Sequence, residues 1–121
     1  MLLNTSKDTS KDSSREEFNR ISIKYPDRIP IFVTKSVYAS STVPGIDKNK
    51  YLAPKDLTLG QFQYVIRKRL KLAPDKALFF FIDGMIFCTS ELLIDIYEKA
   101  HDKDDGFLHV MYSGESTFGN F

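Results

Sequence analysis

The sequence predicts an α+β fold in which a four-stranded mixed sheet wraps one central helix, with an additional helix at the N-terminus. Three observations carry that prediction. Ser14-Arg15-Glu16-Glu17 and Thr58-Leu59-Gly60-Gln61 each have the Ser/Thr-x-x-Glu/Gln form of a capping box, in which two orphan donors at a helix start are satisfied reciprocally. Asp83-Gly84 stands between two apolar runs, and that pair tolerates the positive φ that a type I′ hairpin turn needs at both central residues. The chain then closes on Phe107-Leu108-His109-Val110-Met111-Tyr112, an alternating strand that must find its place in the sheet beside the first strand.

Residues Thr5 to Ser13 are Ser, Thr, Lys and Asp only, too polar to offset the entropy of ordering them, so residues 1–13 read as a disordered arm. From Ser14, the residues Phe18, Ile21 and Tyr25 recur at spacings of three and four on one helical face, and Pro26 ends the helix. Arg28 to Thr34 is rich in β-branched and aromatic residues; Pro30 within it places this strand at an edge or at a strand terminus. Ser40 to Asn49, with Pro44-Gly45, is a loop, and Lys50 to Ala53 is a short strand stopped by Pro54. The central helix follows Thr58, with Leu59, Phe62, Ile66 and Leu70 as its core stripe and Arg67-Lys68-Arg69 complementing its carbonyl end. Leu78 to Ile82 and Met85 to Phe87 form the two arms of the hairpin. Ser90 caps a third helix over Glu91 to His101, with Leu93, Ile96, Tyr97 and Ala100 turned to the core. Consecutive strand residues point to opposite faces, so Phe80 needs different cover from Phe79 and Phe81; Phe18 and Ile21 are the candidates. Such a roll is the ubiquitin-like β-grasp, spanning 14–116, with a flexible tail over 117–121.

Composition narrows function. Seventeen Lys and Arg against 16 acidic residues give no overall field for nucleic acid or an anionic membrane. Cys88 is the only cysteine, which excludes an internal disulfide and a Cys-x-x-Cys zinc site and fits a reducing compartment. No secretory or transit pattern opens the chain and its longest apolar run, Ala77 to Ile82, is too short to span a bilayer, so a cytoplasmic protein is expected. Gly119, ahead of Asn120 and Phe121, would become a carboxylate without Cβ if those two residues were removed, able to thread a narrow active-site channel.

Four ordered blocks go further. Lys24 to Pro30, Asp47 to Pro54, Leu57 to Phe62 with Ile66 to Leu70, and Ala77 to Phe81 resemble the autophagy ubiquitin-like modifiers of the GABARAP and microtubule-associated-protein light-chain type, over about Phe18 to Gly119. The resemblance implies cleavage after Gly119 by a processing cysteine protease, activation by ubiquitin-like activating and conjugating enzymes, and amide linkage to phosphatidylethanolamine on the autophagosome membrane. It also implies a monomeric, non-enzymatic modifier that captures cargo receptors through aromatic-x-x-aliphatic peptides added as a strand beside Lys50 to Ala53. By resemblance the aromatic anchor meets Glu17, Ile21, Pro30, Lys50, Leu52 and Phe107, and the aliphatic anchor Tyr51, Ala53, Pro54, Leu57, Phe62 and Val65. Acidic residues flanking the aromatic suit Arg28, Lys48, Lys50 and Arg69. Departures from the family pattern are the small Ala53 and Val65, which enlarge the aliphatic pocket, and Gly106, which stands where a second aromatic often precedes Phe107.

The other chemistry-bearing residues read more plainly. Cys88 lacks a motif that would make it a nucleophile, so no catalysis is expected. His101 lies at a helix end and His109 on a strand, and the acidic run Asp102, Asp104, Asp105 lacks calcium-loop spacing, so neither metal nor cofactor is expected. Arg67 to Lys71 reads as a solvated, dipole-complementing terminus rather than a nucleic-acid site. The alternative to conjugation is an unconjugated β-grasp peptide-binding adaptor.

Overall fold

The computed structural model describes residues 11–36 and 43–114. Gly119, the tail and the first ten residues lie outside the described residues. Within them the order is α1 (Lys11–Lys24), β1 (Arg28–Lys35), β2 (Lys50–Pro54), α2 (Leu59–Leu70), β3 (Phe79–Phe81), α3 (Leu93–Ala100) and β4 (Leu108–Ser113). The strands form one mixed sheet in the order β2-β1-β4-β3. β1 runs antiparallel to β2 and parallel to β4, with Ile31 opposite Leu108, so the last strand does enter beside the first. β3 completes the sheet antiparallel to β4.

The alternation of each strand divides the sheet into two packed faces. On one, Ile29, Ile31, Val33, Tyr51, Ala53, Phe80, Leu108, Val110 and Tyr112 join the α2 stripe Leu59, Phe62, Ile66 and Leu70 and α3's Leu93 and Ile96 in the main core. On the other, α1 packs Ile21 on Leu52 and Phe107, with Phe18, Tyr25 and Phe32 beside them. Phe80 therefore belongs to the main core, its ring centroid 6.0 Å from that of Phe62, and α1 covers Leu52 and Phe107 instead. The assignment of Phe18 and Ile21 as its cover is corrected by one step of strand parity.

β1 lies inside the sheet, so of the two positions expected for Pro30 the edge strand is ruled out and the terminal one holds: Pro30 stands near the start of β1, ahead of its pairing with β4. Val33 donates to the Asn49 carbonyl at 2.7 Å, which fixes which β1 residues face β2: Ile29, Ile31 and Val33 do, and Pro30 turns the other way. Pairing with β4 begins only at Ile31, so the donor that proline lacks has no partner waiting for it.

Three local expectations shift for identifiable reasons. α1 begins at Lys11, which puts Ser14 inside the helix rather than at its cap. Ser90 does not cap α3, whose N-cap is Leu92. The free donors of that end go instead to loop carbonyls, Leu93 N–H to Leu57 at 2.8 Å and Ile94 N–H to Lys55 at 3.1 Å. The Asp83-Gly84 turn forms with both residues at positive φ and a reciprocal Ile82–Met85 pair, yet the returning arm goes no further: Met85 and Ile86 are exposed and β4, not this arm, pairs with β3. α2 is capped as its sequence predicts, Thr58 N–H donating to Gln61 Oε1 at 2.9 Å and Gln61 N–H to Thr58 Oγ1 at 3.1 Å. Its other end closes on Lys71 in the left-handed conformation.

Candidate peptide-binding edge

Among the described residues β2 has one strand neighbour, β1, which leaves its other side as a sheet edge. The register fixes what that edge offers. Tyr51 and Ala53 direct their backbone groups toward β1, whereas Lys50 and Leu52 direct theirs outward, where an added strand would find them. Side chains alternate as well: Lys50 and Leu52 lie on the α1 face, Tyr51 and Ala53 on the α2 face.

The aromatic-anchor set is brought together on the α1 face. Ile21, Leu52 and Phe107 form one buried cluster. Pro30 is buried and opposite Leu52 in the register. Glu17 reaches from α1 to Lys50, whose Nζ donates to Glu17 Oε1 at 2.7 Å with both side chains at most 7% exposed. The same ammonium sits 5.9 Å from the centroid of Phe107. This nearly dehydrated ion pair ties α1 to β2.

The aliphatic-anchor set is also assembled, but most of it is closed. Tyr51, Ala53 and Phe62 are at most 1% exposed and belong to the main core, with the Tyr51 and Phe62 rings edge-to-face at 5.8 Å. Leu57, Pro54 and Val65 are half-buried and form the part that solvent reaches. Val65 follows Phe62 by three residues and precedes Arg69 by four, so all three share one side of α2.

Cationic groups border this edge. Lys48 Nζ lies 5.4 Å over the Tyr51 ring, and Arg69 Nε donates to Asp47 Oδ1 at 3.1 Å. Burial first, then the Arg69 charge, lowers the Lys48 ammonium pKa, while burial pushes the Tyr51 phenol up to about 12. Arg28 reaches β2 from β1, its guanidinium donating to the Leu52 carbonyl at 3.2 Å.

Sequence reasoning missed two residues that hold the aromatic set in place. Asp105, 5% exposed, accepts the Phe107 N–H at 2.9 Å through Oδ1 and the His109 Nε2–H at 2.8 Å through Oδ2. The His109 ring meets Phe32 edge-on at 5.4 Å. The signal was the spacing of four between Asp105 and His109, hidden because one lay in a presumed solvated loop and the other on a strand. Gly106 sits between them at φ +81°, and Phe18 occupies the space a Cβ would take. Cys88 is exposed, and a hydrogen bond with Ser90 Oγ at 3.1 Å lowers its thiol pKa.

A family model for the autophagy protein Atg8, described as ubiquitin like, matches residues 13–119. The chain belongs to the Atg8 family. Among curated Atg8 relatives it is similar to autophagy-related protein 8e of Arabidopsis thaliana, 53% identical over 112 residues, covering 93% of this chain and 89% of that one. It is likewise similar to autophagy-related protein 8 of Mycosarcoma maydis, 54% identical over 110 residues and 91% of each chain. The crystal structure of Trypanosoma brucei ATG8 superimposes with a TM-score of 0.81 at 39% identity, over 96% of this chain and 100% of that one. The ubiquitin-like Atg8 fold and a role in autophagy follow from these likenesses. No helix among the described residues is long and apolar enough to cross a membrane.

Proposed function

We propose that this Atg8-family protein is a ubiquitin-like modifier, joined through the Gly119 carboxylate to phosphatidylethanolamine on autophagosomal membranes, that recruits cargo receptors by adding their peptides to β2. The observation that carries the reading is the open β2 edge, with Lys50 and Leu52 presenting outward backbone groups beside the Ile21–Leu52–Phe107 cluster. Main-chain bonding to that edge supplies affinity, and the side-chain pockets on either face supply selectivity for an aromatic and an aliphatic anchor. Lys48, Arg28 and Arg69 give the edge a positive border that speeds encounter with acidic flanks.

The membrane half rests on family membership and on Gly119. Two acyl chains bury enough CH₂ groups, at about 0.8 kcal/mol each, to hold a domain that one chain would hold only marginally. Cleavage by a cysteine protease, then activation and conjugation by ubiquitin-like enzymes, would precede attachment. Incubation of the full chain with cell extract, followed by intact-mass measurement, tests this sequence. Loss of Asn120-Phe121 and gain of a phospholipid mass are expected in wild type, and neither in Gly119→Ala. An unaltered wild-type mass would leave the chain an unconjugated peptide-binding adaptor.

A further inference from the structure

We propose that Asp102, Asp105 and His109 form a divalent-metal site, suited to zinc, at the turn between α3 and β4. Their donor atoms, one from each residue, all lie within 4.8 Å of one another. No calcium-loop spacing produces this group; the imidazole comes from β4 and meets two carboxylates of the preceding turn. Exposed carboxylates gather on many surfaces without consequence, but Asp105 is 5% exposed and its Oδ2 stands 2.8 Å from His109 Nε2. Both carboxylates are already oriented. Asp102 Oδ1 accepts the Asp104 and Asp105 N–H groups at 2.7 and 3.2 Å, and Asp105 Oδ1 accepts the Phe107 N–H at 2.9 Å. Outer donors of this kind fix the direction of a ligating carboxylate. A cavity of about 320 Å³ opens over Asp102 and His109, room for an ion and several water ligands at about 30 Å³ each. His101 lines it as well; its Nδ1 donates to the Tyr97 carbonyl at 2.7 Å, so its Nε2 carries the lone pair of the neutral ring. Of the two lysines beside the cavity, Lys99 is turned to Glu91 at 2.9 Å and Lys103 is exposed.

One nitrogen and two oxygen donors, with water completing the shell, suit zinc, which binds imidazole at about 2.0–2.1 Å and carboxylate at about 2.0–2.2 Å. Donors at those distances in a tetrahedral shell stand about 3.3 Å apart. The Nε2–Oδ2 pair must therefore open by about 0.5 Å, and no pair in the group must close by more than about 1.5 Å. Binding exchanges a proton for the metal. In the free protein Nε2–H donates to Asp105; in the bound one the neutral ring carries its proton on Nδ1, and the Nε2 lone pair goes to the ion. An imidazolium would release one proton to solvent on the way. Calcium and magnesium prefer oxygen donors throughout, so the imidazole selects against them. Zinc held here would tie the end of α3 to β4 across the turn that presents Phe107.

The untagged full chain, which has only two histidines, is titrated with zinc chloride by calorimetry and by nitrogen-15 spectra of the histidine rings. One zinc per chain is expected, together with a thermal midpoint that rises with zinc concentration. His109→Gln and Asp102→Asn should each weaken zinc by about tenfold or more. Cys88→Ser removes the exposed thiol, a competing zinc ligand, and should bind zinc as wild type does. Absence of stoichiometric binding would overturn the site, as would zinc affinity that is unchanged in His109→Gln, lost in Cys88→Ser, or equalled by calcium chloride. Should the variants fold poorly, the wild-type ring spectra decide by themselves. At saturating zinc His109 should be in its Nδ1–H form; a ring that stays in the Nε2–H form would overturn the proposal.

Discussion

Gly106 and Tyr51 show how much a single position can depend on its surroundings. At Gly106 the backbone takes φ +81°, and a Cβ there would stand 2.6 Å from Phe18 Cγ, so α1 approaches this turn more closely than any other residue would permit. Gly106→Ala should lose about 1–3 kcal/mol in urea unfolding, through left-handed strain and the displacement of Phe18. The glycine that departs from the family pattern thus has a steric reason: an aromatic of α1 occupies the space. Tyr51 illustrates an electrostatic dependence. Its phenol is pushed up to about 12, chiefly by burial, from an ordinary value near 10. The folded chain therefore keeps the proton in a range where the unfolded chain loses it. Stability present below about pH 10 should fall toward pH 12, with a share for this one group of about 1.4 kcal/mol per pH unit. Burial raises Tyr97 and Tyr112 in the same direction, so Tyr51→Phe should flatten the slope of urea midpoint against pH without abolishing it.

Among the elements, the two capping boxes give opposite lessons. Thr58 and Gln61 form theirs completely, so Thr58→Ala should cost about 1 kcal/mol with an unchanged denaturant slope. Ser14 has the same sequence pattern but lies within α1, so Ser14→Ala should stay within about 0.5 kcal/mol. Local pattern is sufficient where the chain breaks just ahead of the box, as Pro54 and the turn behind it ensure for α2, and insufficient where helix-compatible residues precede it. α3 extends the point: its first donors are taken by the Leu57 and Lys55 carbonyls, a long-range solution that no local signal encodes. The apolar stripes were legible because their period is set by helix geometry alone; Leu59, Phe62, Ile66 and Leu70 are all buried as predicted.

For the whole molecule, the sheet order bears on the two proposed tasks, peptide capture and tail attachment. β2 lies at one edge and is divided by β1 from β4, whose end at Ser113 leads toward Gly119. Capture at β2 and attachment through the tail should therefore be energetically independent. Deletion of residues 119–121 is expected to abolish membrane association in cells yet change the calorimetric affinity for an aromatic-x-x-aliphatic peptide by no more than about 0.5 kcal/mol. A larger change would mean that the tail takes part in the groove. The sequence by itself determined the α+β class, the helical stripes, the Asp83-Gly84 turn and the family blocks, because periodicity, turn chemistry and ordered motifs are written in neighbouring residues. Only the tertiary structure decided that Pro30 lies inside the sheet, that Phe80 faces α2, that Asp105 and His109 hold Phe107, and that Arg28 reaches the Leu52 carbonyl on the open edge. The placements of Pro30, Phe80 and Arg28 depend on which strand lies beside which and in what register, where a shift of one residue would turn a side chain to the opposite face, whereas Asp105 holds Phe107 and His109 from the turn that leads into β4.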